Sequence, residues 1–225
     1  MSRIITFISC IVLLAAIAGG GPAWAADMPV KAAVTKVPVD LWSPWMVRGR
    51  VLVVAPQASA TVNEIPGASV SIGTSVVPEL DITYFFTQNL AAEVILGVTP
   101  HNITGTGTIS GINIGRAWLL PPTVTLQYHF TDLGAFKPYI GAGPNYTVFF
   151  NQTAAGGTIT QLSIKNSFGA AVQVGFDYML DRHWGWNVDV KKLFLRPNVS
   201  MNNGALNGRV TIDPWLIGTG GTYRF

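Results

Sequence analysis

From residue 46 onward, apolar positions alternate with polar or small ones at a period of two. That spacing puts successive side chains on opposite faces of a β-strand. In 166–180, Phe168, Ala170, Val172, Val174, Phe176, Tyr178 and Leu180 share one face, opposite Gly169, Ala171, Gln173, Gly175, Asp177 and Met179. In 183–195, Trp184, Trp186, Val188 and Val190 oppose Asn187, Asp189 and Lys191. In 78–87, Leu80, Ile82, Tyr84 and Phe86 oppose Glu79, Asp81 and Thr83. The pattern predicts eight strands, at 46–54, 78–87, 90–99, 118–130, 136–150, 166–180, 183–195 and 209–225. The connections at 55–77, 100–117, 151–165 and 196–208 are long and rich in Gly, Asn, Thr and Ser, whereas those at 88–89, 131–135 and 181–182 are short.

Two architectures fit eight such strands. A soluble barrel of the lipocalin type hides the apolar face inside. An outer-membrane barrel turns that face to lipid, has an even strand number, and joins its strands by long external loops and tight periplasmic turns. Composition separates them. The chain is 49% hydrophobic with a mean hydropathy of +0.38, and only 11% of it is charged. An ordinary soluble domain carries about 25% charged residues.

The first residues add a second argument. Arg3, the apolar run "IITFISCIVLLAAIA" and the small-x-small site "AWA" at 23–25 read as a secretory signal peptide over 1–26. Cys10 lies within it, so the mature chain has no disulfide framework. Removing Arg3 leaves 13 basic and 11 acidic residues, a net of +2 with no basic cluster. No nucleic-acid partner is expected. An exported, apolar chain without a later run of about 18 apolar residues can enter a bilayer only as a closed barrel, which satisfies every backbone group internally. The prediction is therefore an all-β, eight-stranded antiparallel transmembrane β-barrel over 46–225, in the bacterial outer membrane, with 27–45 as a Pro-rich periplasmic lead-in. Its surroundings are outer-membrane lipid. The chain ends "GTGGTYRF", with Tyr223 and Phe225 on one face. That ending looks like the insertion signal read by the barrel assembly machinery.

With the apolar face outward, Arg48, Arg50, Glu79, Asp81, Glu93, Asp177, Asp189, Lys191 and Arg224 point inward, four basic and five acidic residues. Buried charges are tolerable only when paired and hydrogen-bonded, so these nine are expected to form a charged plug. Strand direction puts Arg48, Arg50, Glu93, Asp177, Asp189 and Arg224 in the periplasmic half, with Gln127 and His129. Leu52, Val54, Ile95, Phe149, Leu193, Leu195, Ile212 and Leu216 then line the upper half. Eight strands enclose little more than their own side chains or one small ligand. An apolar upper lumen above a charged floor suits a small hydrophobic solute.

Pro121 and Pro122 interrupt the fourth predicted strand. Proline cannot donate to a ladder. Either the pair weakens the wall and opens a lateral exit to lipid, or the strand starts at Thr123 and the prolines end a loop.

Several ordered motifs carry a resemblance. "WLLPPTVTLQYHF" (118–130), "KPYIGAGPNYTVFF" (137–150), "NSFGAAVQVGFDYML" (166–180), "WGWNVDVKKLF" (184–194) and "IDPWLIGTGGTYRF" (212–225) resemble the OmpW family of bacterial outer-membrane proteins. The resemblance covers nearly all of the chain from about residue 46. It implies an eight-stranded barrel with a gated hydrophobic channel, passive uptake of small hydrophobic molecules, and lateral release near the fourth strand. One position departs from the family: where its members narrow the channel with an aromatic, this chain has Lys191, which could pair with Asp189 or Asp177.

Other signals carry little. His101, His129 and His183 are isolated and form no metal spacing, and "GTGTISG" (105–111) lacks the context of a phosphate loop. No cofactor, metal or catalytic residue is expected, and the chain does not read as an enzyme. The competing reading is a structural or surface-interaction barrel with a closed lumen, acting through the loops 55–77, 100–117 and 151–165.

Overall fold

The computed structural model describes residues 43–225; the predicted signal peptide and nearly all of the lead-in lie outside the described residues. The strands are β1 (Trp45–Ala55), β2 (Ser59–Val62), β3 (Ala68–Ile72), β4 (Ser75–Phe85), β5 (Leu90–Leu96), β6 (Thr99–Gly107), β7 (Asn113–Leu120), β8 (Thr123–His129), β9 (Phe136–Ala154), β10 (Leu162–Ile164), β11 (Ser167–Met179), β12 (Trp184–Phe194), β13 (Asn198–Met201), β14 (Leu206–Thr211) and β15 (Trp215–Arg224).

Eight of them form the barrel. Strands β1, β4, β5, β8, β9, β11, β12 and β15 pair antiparallel in that order, and β15 returns to β1. The ring is closed, so no ladder edge faces lipid. Phe168, Val174 and Ile217 are half or more exposed, while Arg48, Thr83, Glu93, Gln127 and Asn187 are fully buried. The greasy face therefore points outward, which excludes the soluble alternative. Aromatic rings collect at the ends of this wall. Trp45, Tyr84 and Phe86 form one run, and Trp184, Tyr223 and Phe225 another, with centroids 4.8–5.4 Å apart. Tyr223 and Phe225, predicted as an insertion signal, thus form part of the lower girdle.

Three expectations need correction. The long connections are not irregular loops: β2, β3, β6, β7, β10, β13 and β14 fold there into a collar above the barrel. One collar sheet runs β3–β6–β7–β9 and the other β10–β13–β14–β2. Side chains staple the two together: the Ala60 N–H donates to Ser69 Oγ (3.1 Å), and Gln152 Nε2 donates to the Ile164 carbonyl (3.0 Å). The second correction concerns the predicted strand 118–130, which is two strands separated by Pro121 and Pro122. A strand does start at Thr123, as the second reading expected, but the prolines follow a strand, β7, and do not end a loop. Finally, the predicted last strand 209–225 is likewise split into β14 and β15, where Asp213 takes a left-handed conformation (φ 31°) directly before Pro214.

Candidate functional site

The lumen is stacked in layers. Lowest lies an apolar base of Met46, Phe85 and Ala91. Above it sits the charged plug, organised by three cations. Arg48 reaches across the barrel to Asp177 with two bonds (Nε–Oδ1 3.0 Å, Nη2–Oδ2 2.7 Å), while its Nη1 meets Glu93 at 2.9 Å and donates to Thr83 at 3.0 Å. Arg50 pairs with Glu79 (2.6 Å) and Asp81, and donates to Asn187 at 2.8 Å. Lys191 Nζ lies 2.6 Å from Asp189 and 3.4 Å from Glu79. Five carboxylates against three cations leave two formal negative charges. Neutral donors supply further bonds. Tyr139 donates to Asp189 (2.8 Å), Thr222 and Asn187 to Asp177 (2.7 and 3.0 Å), and Gln173 to Glu93 (3.0 Å). Most of the buried charge is thus paired, as a low-dielectric interior requires, while Asp81 Oδ1, Gln127 Nε2 and Gln173 Oε1 find no hydrogen-bond partner among the described residues.

Eight of the nine predicted plug residues are thus brought together. Arg224 is the exception. It is only partly buried and sits at the lower rim, its Nε 3.4 Å from the Ser43 carbonyl and its guanidinium 4.3 Å from the Phe85 ring centre. Lys191 pairs with Asp189 as expected, but Glu79 is its second partner and Asp177 is taken by Arg48.

Sequence reasoning missed Tyr139, a completely buried aromatic on the Gly-rich face of β9. Its partner position is Gly175 on β11, where a Cβ would lie 2.5 Å from the Tyr139 hydroxyl. The signal was a pair of complementary sizes at one register position, visible only once the register is known.

Above the plug the lining turns apolar. Leu52, Val54, Val77, Ala171, Leu193 and Leu216 form one cluster. Phe149, Leu195 and Ile212 belong to the collar core above it, with Val70, Ile103 and Ile114. The collar core holds a cavity of about 60 Å³. A second cavity of about 30 Å³ shares Val54, Leu119 and Pro214 with it and runs down to Glu79 and Lys191, with Ile95 in its wall. The two cavities are neighbours that share part of one apolar wall.

Gly97, Thr99 and Pro121 also line that second cavity. Here the wall is interrupted on both sides. β5 ends at Leu96 and β6 begins at Thr99, opposite the break between Leu120 and Thr123. Pro78 joins them, because its carbonyl lies toward Gly97, 3.8 Å from where a Cβ would sit. A strand residue's N–H and C=O point to the same neighbour, so Pro78 presents no donor to this break. Pro121 and Pro122 likewise bring no N–H to the break, a seam in the wall, although Pro122 faces β9, where its carbonyl accepts the Tyr146 N–H (3.1 Å). On its far side the seam is bounded by Asn145, whose Nδ2 donates to Thr123 Oγ1 (2.8 Å) and lies 3.3 Å from both proline carbonyls.

A closed, lipid-facing eight-stranded barrel with a plugged lower lumen and an apolar upper chamber defines a protein of the bacterial outer membrane. The comparisons agree and add the family. The model of the OmpW family matches residues 44–225, and the chain belongs to that family. It is 52% identical to the outer-membrane protein y4mB of Sinorhizobium fredii, over 92% of this chain and 90% of that one. It is 33% identical to the dibenzothiophene metabolism operon protein PahQ of Pseudomonas aeruginosa, over 77% and 85%. Among solved structures, the outer-membrane protein OprG of Pseudomonas aeruginosa matches with a TM-score of 0.75 at 27% identity, over 82% of this chain and 96% of that one.

Proposed function

We propose that this barrel is a passive conduit for small, uncharged apolar molecules, which are received in the collar chamber and released sideways into the outer membrane. The observation that carries the reading is the lining of the lower cavity, which takes in Glu79 and Lys191 of the plug together with Gly97 and Pro121 of the seam. Straight passage would require an apolar solute to displace ion pairs buried to within 1% of complete. Sideways release needs no ion pair to part and leads to hydrocarbon, where the solute is already more soluble. The printed name of PahQ, which ties that relative to dibenzothiophene metabolism, supports apolar cargo as the class.

The test fills the seam without touching the plug. Gly97 has room for a side chain, its nearest neighbour being the Pro78 carbonyl at 3.8 Å. Uptake of toluene by cells carrying Gly97→Leu should fall at least about tenfold, to the level of cells lacking the protein. Gly221→Leu, at a position with nothing within 4 Å, should leave uptake unchanged. Full uptake through a folded Gly97→Leu barrel would overturn the lateral route.

A further inference from the structure

Each strand of the collar sheet β10–β13–β14–β2 continues a barrel strand. β10 leads into β11, β12 into β13, β14 into β15 and β1 into β2. Alternation sorts the side chains of this sheet onto two faces. Ile164, Met201 and Val210 turn inward to the collar core, with Leu162, Val199 and Ala60 packed against them. The opposite face is polar throughout. Register makes its lower row Lys165, Asn198, Arg209 and Thr61, and its upper row Ser163, Ser200, Asn207 and Asn63. Neither row holds an apolar side chain or a carboxylate.

Two open grooves mark this face, of about 740 and 630 Å³, and they share Lys165 and Ser200. Gln161 and Ser163 line the first, Asn207 and Arg209 the second. Both volumes fall in the range of ligand sites, about 300–1,000 Å³, but hydroxyls and amides replace the usual apolar lining. The charge is one-sided. Among the described collar residues, Arg116, Lys165, Arg196 and Arg209 outnumber two carboxylates, Glu64 and Asp213. Both carboxylates are engaged. Glu64 accepts the Asn207 N–H (2.9 Å), while Asp213 accepts the Leu195 N–H (2.8 Å) and lies 3.7 Å from Arg196. Lys165 and Arg209 are exposed, and among the described residues neither has an ion-pair partner. Below the cation row the lipid-facing wall begins: Phe168, three residues after Lys165, is 80% exposed and packs on Tyr146 at 4.5 Å.

We infer that this face binds the head group of a phosphorylated glycolipid in the outer leaflet of the membrane. Read away from the barrel, its chemistry runs from aromatic rings to cations to neutral hydroxyls and amides. The order along such a lipid is acyl chain, phosphate, sugar. Neighbouring strands lie about 4.8 Å apart, so Lys165 and Arg209, two strands from each other, are about 10 Å apart at the backbone. Side chains of their length can converge on one phosphate or hold two, and cations at a membrane surface favour anionic lipid. Ser200, Asn207 and Asn63 then meet sugar hydroxyls, which donate and accept as they do. A phospholipid without sugar would reach the cation row but leave the upper row idle. The site is separate from the conduit and does not depend on it.

The test counts lipids retained on the full protein. It is refolded in phosphatidylcholine nanodiscs doped with one probe lipid, and bound copies are read by native mass spectrometry. The probes are diphosphorylated lipid A carrying two inner-core sugars, the same glycolipid with its phosphates removed, and phosphatidylglycerol. The intact glycolipid should be held about tenfold more tightly than either of the others, a comparison that needs no variant. Lys165→Gln combined with Arg209→Gln should abolish the preference for phosphate. Arg182→Gln, in the short turn at the opposite end of the barrel, should leave it unchanged. Excess inorganic phosphate should not displace the glycolipid, because it brings neither sugar nor chain. Equal retention with and without phosphates, or a preference that survives in the double variant, would overturn the assignment. So would phosphatidylglycerol held as tightly as the glycolipid, or full displacement by inorganic phosphate, which would make this a general anionic surface or a site for the free anion.

Discussion

Arg48 and Asp177 are 129 residues apart in sequence, yet they meet through a two-point contact across the barrel, Nε to Oδ1 at 3.0 Å and Nη2 to Oδ2 at 2.7 Å. The fork geometry matches guanidinium to carboxylate, and both side chains are out of water. Removing one partner leaves the other charged, buried and uncompensated. Asp177→Asn and Arg48→Met should each destabilise the barrel by about 3–5 kcal/mol. The double replacement should be less damaging than the sum of the two. Urea unfolding in lipid vesicles, followed by tryptophan fluorescence, measures all three. Additive losses would show that the pair is not coupled.

Tyr139 and Gly175 form a matched pair of sizes on adjacent strands. Tyr139→Phe keeps the ring and removes only the hydroxyl that donates to Asp189 at 2.8 Å. It should cost about 1.5–3 kcal/mol, the range for a bond to a charged group. Gly175→Ala should cost more, because the added Cβ meets the hydroxyl at 2.5 Å and the Val188 carbonyl at 2.7 Å. Combining Gly175→Ala with Tyr139→Leu should relieve the clash with the ring but not the one with the carbonyl. The same unfolding experiment ranks the three variants.

The membrane is the reason that so much of the barrel was legible. Lipid demands an unbroken apolar face, so alternation in Phe168–Leu180 or Leu80–Phe86 is nearly free of exceptions. The collar faces no lipid. Its strands carry Thr, Asn and Gly on both faces, and stretches such as 100–117 read as loops although Thr99–Gly107 and Asn113–Leu120 are paired strands. Which charges face the lumen followed from parity alone. Their partners did not, because Arg48 meets Asp177 only through the stagger of the closed ring. Arg224, the last residue of β15, showed the limit of parity, since it is only partly buried and sits at the lower rim beside Ser43 and Phe85. Pro78 was readable as a residue, but its place beside the seam depends on where β5 ends.

One titration is open to test outside the membrane. Asp181 lies in the short turn between β11 and β12 and is fully solvent-exposed, and its carboxylate accepts the backbone N–H groups of Trp184 and His183, each at 2.7 Å. These bonds, that of Trp184 first, hold its pKa below the usual carboxylate value. A depressed folded-state pKa gives stability that is present above the unfolded value of about 3.9 and is lost as pH falls through the folded one. The stability difference between the unmodified protein and Asp181→Ala should therefore be constant from neutral pH down to about 5 and shrink below about 4. A difference that grows on acidification would contradict the assignment.

The plug and the seam make separable demands on ions and apolar solutes. Lys191 sits at their junction, bonded to Asp189 and Glu79 and lining the lower cavity. Lys191→Met removes a buried cation and changes the plug from three cations and five carboxylates to two and five. Its two buried partners, Asp189 and Glu79, then repel each other, and water and counterions have a reason to enter. Refolded in planar bilayers, the variant should pass a small cation-selective current that the unmodified barrel lacks. Toluene uptake in cells should stay within about twofold of the unmodified level, because the seam at Gly97 and Pro121 lies beside this residue and not beneath it. If apolar uptake rose together with the ion current, the lumen would be the solute's path and the seam would be only a flaw in the wall. An ion leak with unchanged apolar uptake would assign the two routes to different parts of the same barrel.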